Sequence, residues 1–107
     1  MRVHILDQLY DILQARKGAD PESSYVASLY DKGTAHIGDK VTEEAAETIV
    51  EALAGDRTKL AAESADLLFH LMVLWADQGL APQDVFAVLE KRFGTSGHDE
   101  KASRSAE

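Results

Sequence analysis

The sequence predicts an all-α protein, a bundle of four to five helices. Apolar residues recur at three- and four-residue intervals along most of the chain, and no stretch alternates apolar and polar residues as a strand would. Glycines at positions 33, 55 and 79 separate the periodic segments. A length of 107 residues suits a single hydrophobic core. We therefore expect one domain over residues 1–93 and a tail over 94–107, where the apolar periodicity ends.

The first two predicted helices are short. The first spans about residues 3–16 and places five apolar side chains on one face: Ile5, Leu6, Leu9, Ile12 and Leu13. The second is expected to begin at Pro21, because Asp20 is a favourable N-cap and proline is tolerated in a first helical turn. It is expected to stop at Gly33.

The remaining three helices are predicted over about residues 37–54, 57–78 and 83–93. Gly55 suits a left-handed C-cap after the third helix, and Asp56 is an N-cap for the fourth. Gly79 closes the fourth helix and Pro82 begins the fifth. Because the link at Gly55 and Asp56 is short, the third and fourth helices are expected to be antiparallel neighbours.

Composition excludes several classes of protein. Nineteen acidic residues against 11 basic ones give a net charge of −8, which argues against a nucleic-acid partner. The chain has no cysteine, so disulfides and thiolate metal sites are excluded. The longest apolar run, residues 67–76, is too short to cross a bilayer, and Asp7 and Asp11 interrupt any secretory segment. A soluble cytoplasmic protein without a membrane partner is expected.

The fourth helix carries an unusual polar stripe. Apart from Ser64 and residues near the ends, its polar side chains fall within about 60° at about 100° per residue; they are Lys59, Glu63, Asp66, His70 and Asp77. A helix this apolar must be covered on several sides, so Glu63 and Asp66 are expected in a crevice between helices. Desolvated carboxylates need a basic partner, a proton or a metal ion. Lys59 offers a salt bridge to Glu63 as the simpler explanation, but it leaves Asp66 unexplained.

The third helix carries a second acidic stripe, formed by Lys40, Glu44, Glu47 and Glu51. Alone, such a stripe is typical of a solvent-facing surface. Residues 43–66, however, hold seven acidic residues against two basic ones. Antiparallel pairing of the helices would bring Glu44-x-x-Glu47 opposite Glu63-x-x-Asp66.

Four converging carboxylates repel unless a cation joins them. An all-oxygen site suits Mg²⁺, or Mn²⁺ as an alternative. A di-iron site would need Glu-x-x-His on two helices, so His70 is predicted not to be a ligand but to belong to the core or to support a ligand from behind. Mg²⁺ commonly takes phosphate oxygens as further ligands, which indicates a phosphorylated substrate.

Residues that suit contact with a phosphorylated substrate lie outside the acidic pair of helices or at its edge: Lys32, Lys40, Arg92, Ser96, Lys101 and Arg104. The segment from Arg92 to Arg104 combines glycines, hydroxyls and cations, which suits approach to an anion. The alternative is a helix C-cap followed by a frayed tail.

These motifs resemble the all-α nucleoside triphosphate pyrophosphohydrolases, the MazG-like superfamily, and within it the phosphoribosyl-ATP pyrophosphohydrolases. The paired carboxylate motif is similar to that of the superfamily. The closer resemblance rests on Ser24-Tyr25, Lys32-Gly33-Thr34-Ala35, Lys40-Val41, Glu43-Glu44-Ala45-Ala46-Glu47, Glu63-Ser64-Ala65-Asp66-Leu67-Leu68-Phe69-His70, Arg92-x-Gly94-x-Ser96-Gly97 and Glu100-Lys101.

The resemblance implies Mg²⁺-dependent hydrolysis of 1-(5-phosphoribosyl)-ATP to 1-(5-phosphoribosyl)-AMP and pyrophosphate, the second step of histidine biosynthesis. It also implies an intertwined homodimer. We expect Glu44, Glu47, Glu63 and Asp66 to hold the metal, and either Glu44 or Glu47 to orient or deprotonate the attacking water. The alternatives are a pyrophosphohydrolase of another nucleoside triphosphate and a non-catalytic helical dimerisation module.

Overall fold

The computed structural model describes residues 4–93, and within that range the regular structure is entirely helical. The helices are α1 Ile5–Ala15, α2 Tyr25–Lys32, α3 Thr34–Ala54, α4 Arg57–Asp77 and α5 Pro82–Arg92. The all-α prediction is confirmed. None of the helices in this range is both long and apolar enough to cross a membrane.

Helix α2 begins later than predicted. Asp20 and Pro21 form a turn, in which the Asp20 carboxylate accepts the backbone N–H of Glu22 at 2.9 Å. The N-cap is instead Ser24, whose hydroxyl accepts the N–H of Ala27 at 3.1 Å. The sequence offers two N-cap residues four positions apart, and the prediction chose the wrong one. Tyr25 is consequently the first residue of α2.

Helix α3 begins three residues earlier than predicted, at Thr34. Gly33 joins α2 to α3 with a φ of 96°, a conformation that glycine adopts without steric cost. The predicted link between α3 and α4 is confirmed: Gly55 is left-handed, with a φ of 75°, and the Asp56 side chain accepts the N–H of Lys59 at 3.0 Å. The two long helices form an antiparallel hairpin.

The hydrophobic core lies at the open end of the α3–α4 hairpin. Its buried residues come from four helices: Leu13, Leu29, Ile37, Met72 and Val73. Helix α1 packs against α4 and α5, and α2 packs against α3 and α4. Ile5 and Ile12, predicted to share one buried face with Leu13, are exposed, because these contacts cover only part of α1.

The opposite end of the hairpin leaves apolar side chains uncovered. Ile49 and Leu53 on α3 are 59% and 85% exposed, and Leu68 on α4 is 43% exposed. The prediction that α4 is covered on several sides therefore fails from its start to Leu68, a stretch in which Ala61, Ala62 and Ala65 are exposed as well. We call the exposed Ile49, Val50 and Leu53 of α3 the apolar hairpin face.

Candidate metal centre

Three carboxylates from α3 and α4 meet in the hairpin. Glu44, Glu63 and Asp66 each offer one carboxylate oxygen, and these oxygens lie within 4.8 Å of one another. We call these residues the acidic triad. Helical periodicity places Glu44 and Leu53 about 180° apart on α3, so the acidic stripe faces α4 and the apolar side faces away.

The acidic triad lacks hydrogen-bond donors where it is most buried. Glu44 Oε2 and Glu63 Oε2 are inaccessible to solvent and have no hydrogen-bond partner. Two ionised carboxylates can only accept hydrogen bonds, so neither can satisfy the other. Asp66, by contrast, is exposed. The predicted crevice is therefore open on the Asp66 side, because the described chain supplies no third helix there.

Proton affinities reflect this crowding. A proton shared with Glu47, burial, and the nearby carboxylate of Glu44 together raise the pKa of Glu63 from 4.5 to about 7. The pKa of Glu44 is also raised, chiefly by burial and then by the charge of Glu47. Glu47 thus belongs to the same electrostatic cluster, although it lies outside the acidic triad.

Neither Lys40 nor Lys59 neutralises the cluster. Lys59, the alternative partner for Glu63, forms no ion pair with it, and its side chain lies exposed in the first turn of α4. Lys40 stands one turn before Glu44, but its Nζ lies 3.5 Å from the Glu43 carboxylate. The salt-bridge interpretation is therefore wrong for Glu63.

The donor set fits a hard divalent cation. Glu44 and Glu63 each have a buried oxygen without a donor, and one oxygen from each of Glu44, Glu63 and Asp66 lies within 4.8 Å of the others, so the three form a negatively charged recess. Mg²⁺ and Mn²⁺ prefer such oxygen ligands, and a cation would satisfy both unpartnered oxygens at once. His70 is not part of the triad. It is buried, as predicted, with 6% of its surface exposed.

The predicted substrate-contacting residues are only partly described. Lys32 is exposed at the end of α2, next to the Gly33 corner. Arg92 lines a groove on α5 whose other lining residues include Leu80 and Asp84 but none of the acidic triad. Ser96, Lys101 and Arg104 lie outside the described residues.

Comparison with known proteins adds a decisive observation. The sequence profile of the phosphoribosyl-ATP pyrophosphohydrolase family matches residues 6–93. The chain belongs to this family. A phosphoribosyl-ATP pyrophosphatase of Azospirillum brasilense is 59% identical over 102 residues, covering 95% of this chain and 92% of the relative. Phosphoribosyl-ATP pyrophosphatases of Paramagnetospirillum magneticum and Geobacter sulfurreducens are each 52% identical, covering 94% and 97% of this chain and 93% and 96% of the relatives.

Sequence reasoning assigned no role to Tyr25 in this member of the phosphoribosyl-ATP pyrophosphohydrolase family. The structure places the Tyr25 hydroxyl 2.8 Å from Nε2 of His70, one turn from Asp66. An N-cap at Ser24 makes Tyr25 the first residue of α2, but the contact of Tyr25 with α4 depends on how α2 packs.

Proposed function

We propose that this protein hydrolyses 1-(5-phosphoribosyl)-ATP between its α- and β-phosphates, releasing pyrophosphate and 1-(5-phosphoribosyl)-AMP in histidine biosynthesis. Family membership over residues 6–93 supports this substrate. The observation that carries the chemistry is the pair of buried, unpartnered oxygens of Glu44 and Glu63 beside Asp66. A chain without cysteine also suits the reducing cytoplasm.

Glu44, Glu63 and Asp66 would hold Mg²⁺, or Mn²⁺ in its place, with Glu47 at the edge of the same cluster. When bound, the cation polarises phosphoryl oxygens and offsets the charge that develops on the leaving pyrophosphate. The three residues meet this need because their oxygens converge from two rigid helices and lack other partners. Helices position ligands more precisely than loops do.

Glu47 is the residue that we propose to orient the attacking water. It lies beside Glu63 but outside the acidic triad, and it is exposed, so a water can reach it. The water oxygen forms a bond to phosphorus, the phosphoanhydride bond breaks, and the water proton passes to the Glu47 carboxylate and then to solvent. Lys32, Lys40, Arg92, Ser96, Lys101 and Arg104 are proposed to contact the phosphates and the ribose.

Two copies of the chain are proposed to form the working unit. The apolar hairpin face is the reverse of an ordinary amphipathic pattern, since α3 turns its carboxylates toward α4 and its apolar side chains toward solvent. An exposed patch of this kind indicates a protein interface. A second copy covering it would bury apolar side chains that a lone chain leaves in contact with water.

The test is pyrophosphate release from phosphoribosyl-ATP, measured with Mg²⁺, with EDTA, and with EDTA followed by excess Mg²⁺. Activity that EDTA abolishes and Mg²⁺ restores is the expected result. ATP and other common nucleoside triphosphates serve as competing substrates, and faster turnover of any of these contradicts the proposed substrate. If the protein is inactive and Mg²⁺ does not change its unfolding temperature, the result favours the alternative of a non-catalytic helical dimerisation module.

A further inference from the structure

A chain of two hydrogen bonds links α2 to the backbone of the acidic triad. The Tyr25 hydroxyl lies 2.8 Å from Nε2 of His70, and Nδ1 of His70 lies 2.8 Å from the backbone carbonyl oxygen of Asp66. His70 is buried, so both ring nitrogens depend on these partners. His70 is the only polar side chain that is buried in the described part of the chain, and it is hydrogen-bonded to the backbone of Asp66, a residue of the acidic triad.

The carbonyl partner fixes the tautomer of the imidazole. A carbonyl oxygen only accepts hydrogen bonds, so Nδ1 of His70 carries a hydrogen and donates a hydrogen bond to the backbone carbonyl of Asp66. In the neutral ring, Nε2 then accepts the hydroxyl proton of Tyr25. Without the Tyr25 hydroxyl, Nε2 would be buried without a donor, and the preference for the Nδ1–H tautomer would weaken.

Aromatic packing holds the imidazole ring in this orientation. The Phe69 ring meets His70 edge to face, with centroids 5.2 Å apart and planes at 81°. The Tyr25 ring meets His70 in the same manner at 5.9 Å and 85°, and it stacks on Phe69 at 6.4 Å. The ring of His70 is thus held from both α2 and α4, and its hydrogen bonds have a fixed direction.

Asp66 is the member of the triad that most needs such support. Unlike Glu44 and Glu63, it is exposed, and no hydrogen bond from the described residues reaches its carboxylate. Its position therefore depends on its backbone. In a helix the Asp66 carbonyl accepts the backbone N–H of His70, and the His70 side chain adds a second donor to the same oxygen.

We propose that His70, held by Tyr25, is a positioning residue that sets the backbone of Asp66 for binding of a divalent cation. This inference rests on the proposed metal-dependent function. Neither side chain is proposed to touch the substrate or the cation. Groups that orient a metal ligand through a hydrogen bond commonly change metal affinity by about 10- to 100-fold when they are removed.

The first experiment compares Tyr25→Phe with Tyr30→Phe, a matched control. Tyr30 lies on the same helix and donates a similar hydrogen bond, at 3.0 Å, to the Leu13 carbonyl, away from the acidic triad. Mn²⁺ affinity is measured by electron paramagnetic resonance, and unfolding is measured in EDTA. We expect Tyr25→Phe to weaken Mn²⁺ binding about tenfold and Tyr30→Phe to leave it unchanged, although both variants lose some stability in EDTA.

Equal Mn²⁺ affinity in Tyr25→Phe and the wild type overturns the inference while leaving the proposed function intact. Equal weakening in both tyrosine variants also overturns it, because general destabilisation then explains the loss. A wild-type protein that binds no Mn²⁺ contradicts the proposed metal centre itself, and the inference falls with it.

A second experiment replaces the imidazole. His70→Asn keeps an N–H donor near the position of Nδ1, whereas His70→Leu fills the space without one. We expect the asparagine variant to recover Mn²⁺ affinity that the leucine variant loses, even where leucine is the more stable of the two in EDTA. Nitrogen NMR of the wild type should show a protonated Nδ1. Wild-type affinity in His70→Leu, or a protonated Nε2 with a bare Nδ1, refutes the proposal.

Discussion

Glu44 on α3 and Glu63 on α4 face each other across the hairpin, and each has one carboxylate oxygen that is buried without a hydrogen-bond partner. Nothing in the packing of the hairpin requires this pair. Two apolar residues at the same positions would stabilise the helix contact without electrostatic repulsion. An arrangement that opposes stability at one point of an otherwise consistent fold is typical of a functional site.

The first prediction concerns the stability of the metal-free protein. The pKa of Glu63 is raised from 4.5 to about 7 in the folded state. Between these two pH values the folded protein therefore holds a proton that the unfolded chain has released. This contribution to stability is complete below pH 4.5 and is lost as the pH rises through about 7. The raised pKa of Glu44 acts in the same direction. In EDTA, the unfolding temperature should therefore fall between pH 5 and pH 7.5.

Other acidic groups titrate too, so the informative quantity is the difference between the wild type and Glu63→Gln. That difference should change with pH over this window, whereas Glu51→Gln should run parallel to the wild type. With Mg²⁺ present, the unfolding temperature of the wild type should instead rise with pH over this window, because the cation competes with the proton and binds better as the pH rises. A flat difference in EDTA contradicts the shared proton.

The second prediction concerns Glu47. Glu47→Gln keeps the shape of the side chain but removes its ability to accept a proton, so turnover should fall by about 10²- to 10⁴-fold. The variant should fold normally and should retain Mg²⁺-dependent stabilisation, since the acidic triad is unchanged. Glu51→Gln, one turn further along α3, is the control and should remain active. Turnover of Glu47→Gln within a few fold of the wild type excludes the proposed role.

Sequence reasoning recovered the features that short-range rules determine. The link at Gly55 and Asp56 has one sterically favourable solution, so the antiparallel hairpin and the meeting of Glu44 with Glu63 followed from it. The start of α2 was wrong because Asp20 and Ser24 compete as N-caps, and local chemistry does not rank them.

The Tyr25–His70 link was beyond prediction, because it joins residues 45 positions apart and depends on how α2 packs. The exposure of Asp66 was missed for a related reason. Helical periodicity shows that α4 needs a cover, but it does not show whether the cover comes from the same chain or from another.

The third prediction contrasts two glycines. Neither Gly33 nor Gly38 has an atom within 4 Å of an added Cβ, so alanine causes no clash at either position. Gly33 has a φ of 96° and a ψ of 172°, a region that is almost exclusive to glycine, so alanine there costs about 1–3 kcal/mol. Gly38 lies inside α3, where alanine should stabilise by about 0.5–1 kcal/mol. Urea unfolding measures the change in the free energy of unfolding for both variants. A Gly33→Ala variant that is more stable than the wild type contradicts the positive φ assigned to Gly33 between α2 and α3.

The fourth prediction concerns the apolar hairpin face. If a second copy covers it, an Ile49→Ser and Leu53→Ser double variant removes four apolar side chains from a two-fold interface. At about 1.5 kcal/mol each, the loss is about 6 kcal/mol, or roughly 10⁴-fold in dissociation constant. Sedimentation over a range of concentrations should therefore show monomers where the wild type is dimeric.

The matched control for the hairpin double variant is an Ile5→Ser and Ile12→Ser double variant on α1, because these side chains are also exposed but belong to the other end of the molecule. It should remain dimeric and active. The hairpin variant should lose activity where it is monomeric, because two copies of the chain are proposed to form the working unit. A hairpin variant that stays dimeric, or a control variant that dissociates equally, shows that this face is not the interface between the two copies.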